Sequence, residues 1–128
     1  MTEAEPDLSS HAGVDACLKR YAGSESSYPF GPGARVYKVA NKMFALLGEP
    51  ERESEQLRLT LKGPVLRNEL LVRDFAAIHP GYHMNKQHWI TITLDGSVEV
   101  SLLEELIAES YELVFMSLPR AVREKIGA

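Results

Sequence analysis

The sequence predicts an α+β fold, a two-layer sandwich in which an antiparallel sheet of about five strands carries helices on one face. Three observations lead there. Leu57, Leu59 and Leu61 alternate with Arg58, Thr60 and Lys62, and Ile90, Ile92 and Leu94 alternate with Thr91 and Thr93, the period of strands with one wet face. Val14, Cys17, Leu18 and Tyr21 keep helical spacing, as do Leu103, Leu106, Ile107, Ser110, Tyr111, Val114 and Leu118. The connections are short, and a parallel crossover needs a dozen or more residues.

The elements follow in order. Residues 1–9 are expected to be a flexible N-terminus, with one domain over 10–128. A first helix is read from 10 to 22, ended by Gly23. GSESSYPFGPGA, 23–34, has the turn residues of a loop. Two apolar runs, 35–39 and 42–47, meet at Ala40-Asn41 and read as a β-hairpin, since Asn tolerates the positive φ of such turns. EPERESE, 49–55, is a solvated connection to the strand at 57–62. Gly63-Pro64 breaks that strand and opens a helix over 64–73. AAIHPG is extended or turned, and the strand at 90–94 closes at Asp95-Gly96. Ser101 and Glu104 have capping-box spacing at the start of a helix over 100–117. Pro119 stops it, and a short turn, 119–126, closes the chain.

Composition limits the function classes. The chain has 128 residues, 45% hydrophobic and 25% charged, enough for one domain to bury a core without disulfides or a structural metal. Cys17 is the only cysteine and lies on an apolar stripe, so it reads as a buried, inert thiol, and a reducing, cytoplasmic location is expected. MTEAEPDLSS is acidic rather than leader-like, and the longest apolar run is MFALL, far short of a membrane span. Net charge is −4, but residues 62–88 sum to +2 and residues 89–128 to −4. Without a basic stripe in the sequence, a monomer is not expected to hold DNA tightly.

PGYHMNKQHW, 80–89, gathers the chemistry. Together with YPFGPGARVYKVANKMFALL (28–47), LRLTLK and the ITITLDGSV that follows Trp89, it resembles the MmcQ/YjbR-like family. Members show a Tyr-Pro-Phe-Gly loop, a Lys-Met-Phe-Ala strand and a Pro-Gly-Tyr-His-x-Asn-Lys-x-His-Trp segment before a strand ending Leu-Asp-Gly-Ser. The likeness covers about residues 12–125. Val100 stands where members often carry a carboxylate. The resemblance implies a fold similar to type III secretion chaperones and a DNA-binding role without a defined target.

The residues themselves allow such a role. Lys86 suits a phosphate, and Asn85 and His83 can donate to phosphates or base edges. His88 completes the cluster, and Lys42 and Lys62 are supporting charges. Trp89 or Tyr82 could stack on an unpaired base. Structural readings compete: Trp89 as a core plug, Asn85 tightening a turn, the histidines satisfying buried backbone. Tyr28 belongs to a rigid aromatic turn that, if it lay beside 80–89, would form one rim with Lys38, Lys42 and Lys62. His79, His83 and His88 have no Cys, Asp or Glu in 79–88 to complete a metal set, so no metal or cofactor is expected. GxSxG, HExxH and P-loop patterns are absent, so the chain reads as no enzyme, an unrecognised small site being the least favoured alternative. The expected function is non-catalytic nucleic-acid binding, of DNA, weakly or as a dimer. The runner-up is a protein or peptide adaptor using the open sheet face.

Overall fold

The Ser10 side chain accepts a hydrogen bond from Gly13 N at 3.0 Å and caps helix α1, His11–Lys19. The computed structural model describes residues 7–50, 56–81 and 84–127. After α1 come β1 Ser24–Ser27, β2 Ala34–Val39, β3 Lys42–Gly48, β4 Arg58–Lys62, α2 Val65–Asp74, β5 Ile78–Pro80, β6 Trp89–Thr93, α3 Val100–Met116 and α4 Arg120–Gly127. The strands form one antiparallel sheet in the order β1-β2-β3-β4-β6-β5, with the helices packed against it. The two-layer α+β expectation of about five strands holds, and the described residues form six.

The extra strand, β1, lies in the stretch read as a loop. Its sequence, SESS, has no apolar alternation. It is a strand because its backbone pairs with β2, from Ser24 opposite Val39 to Ser27 opposite Val36. The closing turn is instead helix α4, whose Val122 and Ile126 pack on the core. Leu8, 3% exposed, also joins the core, so packing begins inside the segment 1–9. Helix α3 is capped by Glu99 without a side-chain bond, so Ser101 sits inside the helix rather than in a capping box. Among the described residues no helix is long and apolar enough to cross a membrane.

Directly opposed residues share a sheet face, so register sorts the side chains. Ala45 opposes Leu61, Leu47 opposes Leu59, and those leucines oppose Ile90 and Ile92. These belong to one buried cluster with Val14 and Leu18 of α1, Leu71 of α2 and Leu106 and Ile107 of α3. The alternate set, Arg58, Thr60 and Lys62 opposite Thr93, Thr91 and Trp89, faces away from the helices.

The β2–β3 hairpin turns at Ala40 (φ 47°) and Asn41 (φ 68°), the two positive φ values of a type I′ turn. A register shift between Tyr37 and Lys38 makes Phe44 the extra residue of a bulge. Beyond it, Ser110 of α3 takes the place of ladder partner. Its hydroxyl accepts from Lys62 N at 2.8 Å and donates to Phe44 O at 2.5 Å. That explains a fully buried serine on an apolar helix stripe.

Candidate functional site

The helix-free face is the first candidate. Register places Lys38 of β2, Arg58 and Lys62 of β4, Trp89 of β6 and His79 of β5 there. Thr60 and Thr91, 4% and 6% exposed, lie beneath its accessible surface with hydroxyls 2.9 Å apart. Lys62 Nζ stands 5.9 Å from the centroid of the Trp89 ring. Trp89 is half-buried and outside the core cluster, so it is not a core plug. None of Lys38, Arg58 and Lys62 is ion-paired among the described residues. Glu25, opposite Lys38, is the carboxylate that register brings to this face among them.

The turn ahead of β6 lies on the other side. Asn85 Oδ1 accepts from Gln87 N at 2.9 Å and His88 N at 3.4 Å, and Asn85 O accepts from Trp89 N at 3.1 Å. Its side-chain oxygen is thus used in tightening the turn. Lys86 and Gln87 border a cleft of about 220 Å³ with Asn68, Glu69, Val72 and Pro80, on the helix side of the sheet. Lys86 and His88 are exposed. Tyr82 and His83 lie outside the described residues.

Asn68 was not singled out in the sequence, and it positions this turn. It is 3% exposed, and its Nδ2 donates to Gly63 O at 3.0 Å and Gln87 O at 3.1 Å. Gly63 N in turn donates to His88 O at 2.9 Å. The sequence signal is a polar residue three and four places before Leu71 and Val72, on the inward stripe of α2.

Lys42 opens β3 opposite Val39, whose side chain is in the core, so register sets it apart from the Lys62 face. Tyr28 is further away. It follows β1 at the end of the sheet where Arg58 opposes Thr93, whereas Lys62 opposes Trp89 at the other end. Tyr28 therefore forms no single rim with the described residues of 80–89. Tyr28 instead donates to Glu49 Oε2 at 3.2 Å, beneath an Arg35 guanidinium 5.5 Å from its ring. His11 Nε2 approaches Glu49 Oε2 to 2.5 Å without hydrogen-bond alignment.

Next to it, Tyr37 donates to Asp15 Oδ1 at 2.6 Å, and Arg35 and Lys19 each reach Asp15 at 3.1 Å. Burial pushes the Asp15 carboxyl up, but hydrogen bonds from Tyr37 and Lys19 and the Arg35 charge outweigh it and hold the carboxyl below its usual value. Burial, then Asp15, raises the Tyr37 hydroxyl far above its ordinary value. Every charge in this network has a partner, which fits a brace between α1 and β2.

The profile of the family described as YjbR matches residues 20–113, most of the chain. This protein belongs to the YjbR family. Its relatives include an uncharacterized Escherichia coli O157:H7 protein, YbdF, 33% identical and covering 80% of this chain and 81% of the relative. Another is the uncharacterized YjbR of Escherichia coli K12, 32% identical over 80% and 84% of the two chains. The crystal structure of Deinococcus radiodurans DR2400, a DUF419 domain, superposes with a TM-score of 0.86 at 33% identity, covering 97% of this chain and 92% of that one. A Pseudomonas syringae protein superposes at 0.65 with 28% identity, over 79% and 94%. The YjbR match spans the strands β1 to β6 that build the helix-free face.

Proposed function

We propose that the helix-free sheet face of this YjbR-family protein binds nucleic acid, DNA in the first place, through its phosphates and without catalysis. The observation that carries the reading is the placement of Lys38, Arg58 and Lys62, unpaired among the described residues, on one face with Trp89 and His79. Exposed Glu104, Glu105 and Glu112 belong to α3, in the layer beyond the opposite face. A net charge of −4 is therefore compatible with a locally basic surface.

Titration of labelled DNA against salt tests this. Three phosphate contacts should make log affinity fall with log salt at a slope of roughly −2 to −3. Lys62→Ala and Arg58→Ala should each weaken binding similarly across sequences, because a phosphate contact reads no base. Absence of binding at low salt by the folded protein removes the nucleic-acid reading. Salt-insensitive capture of an apolar peptide would favour the adaptor instead.

A further inference from the structure

We infer that the helix-free face takes a short single-stranded segment, with an unpaired base stacked on the Trp89 indole and its neighbouring phosphate at Lys62. This rests on the nucleic-acid reading above and narrows it to one class of ligand. The first support is the position of Trp89. It is the only tryptophan of the chain, and it lies half-buried on the helix-free face, outside the cluster that forms the core. An indole there gains little from core packing, but its ring is a platform for any base.

The second support is pairing. Lys62 is directly opposite Trp89 across the β4–β6 ladder, with its ammonium 5.9 Å from the ring centroid. A nucleotide offers a flat base and an adjoining negative charge, and this pair offers a flat ring and an adjoining positive charge. The lysine stem is flexible enough to move from ring to phosphate without disturbing the strand.

Spacing is the third. Arg58 is four residues from Lys62 on the same strand, about 13 Å at ~3.3 Å per residue. Lys38 is two strands across, about 10 Å at ~4.8 Å per strand. The cations thus span a patch suited to a few nucleotides, the low end of the roughly 4–16 that small single-strand-binding domains cover. Shape is the last. Among the described residues the face is built of strands, without a helix to enter a major groove. Sheet faces that read nucleic acid with aromatic side chains do so by stacking splayed bases.

The test uses the full chain, with oligo(dT), a duplex of equal length and an abasic single strand of equal length as probes. Because Trp89 is the only indole, its fluorescence reports the site directly. Oligo(dT) should bind at least about tenfold tighter than the abasic strand and quench the indole, since one stack contributes roughly 5- to 150-fold. Trp89→Ala should lose that factor, and Trp89→Phe should keep most of it. If Trp89→Ala fails to fold, the quench in the unsubstituted protein decides. Equal binding of all three probes with an unquenched indole overturns the inference while leaving phosphate binding intact. Failure of every probe at low salt overturns both.

Discussion

Asn68 donates its side-chain amide to Gln87 O at 3.1 Å, tying helix α2 to the turn that precedes β6. The same amide reaches Gly63 O at 3.0 Å, so one buried side chain anchors both ends of a junction. Asn68→Ala removes both bonds and leaves two carbonyls short of a donor. A loss of about 2 kcal/mol is expected. The melting temperature should fall by roughly 6–10 °C for a chain of this size. Hydrogen exchange at the Gly63 and Trp89 amides should accelerate as well. An unchanged melting curve would remove Asn68 from this role.

Gly13 offers a test in which the usual sign reverses. Glycine to alanine within a helix normally stabilises by about 0.5–1 kcal/mol. Here a Cβ would fall 1.8 Å from Asp7 O, a backbone atom of the segment that docks Leu8. Gly13→Ala should therefore destabilise, or release residues 7–9 from the core. Thermal unfolding and limited proteolysis ahead of α1 distinguish these, and a stabilised variant would show that the segment does not pack as described.

Ala40 has φ 47° and carries a Cβ in the left-handed region. That conformation costs a non-glycine residue about 1–2 kcal/mol, part of which glycine returns as unfolded-state entropy. Ala40→Gly should gain roughly 0.5–1 kcal/mol by urea denaturation, with the hairpin unchanged.

Acid stability should depend on Asp15. Its carboxyl is held below the usual value because hydrogen bonds from Tyr37 and Lys19 and the Arg35 charge outweigh burial. A lowered folded-state value means the unfolded chain binds the proton more readily. The stabilisation is thus present above the ordinary carboxylate range and is lost as pH falls through the folded value. Asp15→Asn should cost stability at neutral pH, and the gap from the unsubstituted protein should narrow in acid. Asp7, Asp74 and Asp95 are also lowered but exposed, so a shallow acid limb should remain. Urea midpoints measured from neutral pH down to about pH 3 would check this, the window set by the lowered carboxyl. A gap that stays constant with pH would contradict it.

The layers are legible in the chain's local pattern. Period-two alternation in β4 and β6 and helical stripes in α1 and α3 are local consequences of which side chains must leave water, so they are written in short windows. The hairpin at Ala40-Asn41 is legible there too, because turn chemistry is local. What depends on distant partners follows from how the elements pack together. SESS became a strand because β2 offered it unpaired backbone, and Ser110 became buried because a bulge left Phe44 O and Lys62 N without each other. The clustered motif 80–89 was divided in the same way. Trp89, three residues after Lys86 in the motif, faces the opposite side of the sheet, where Lys62 from another strand meets it. Lys86 sits in the turn against α2, whereas Trp89 opens the strand and takes its face from the ladder with β4, so proximity along the chain says little about sharing a site; register across the sheet decides it.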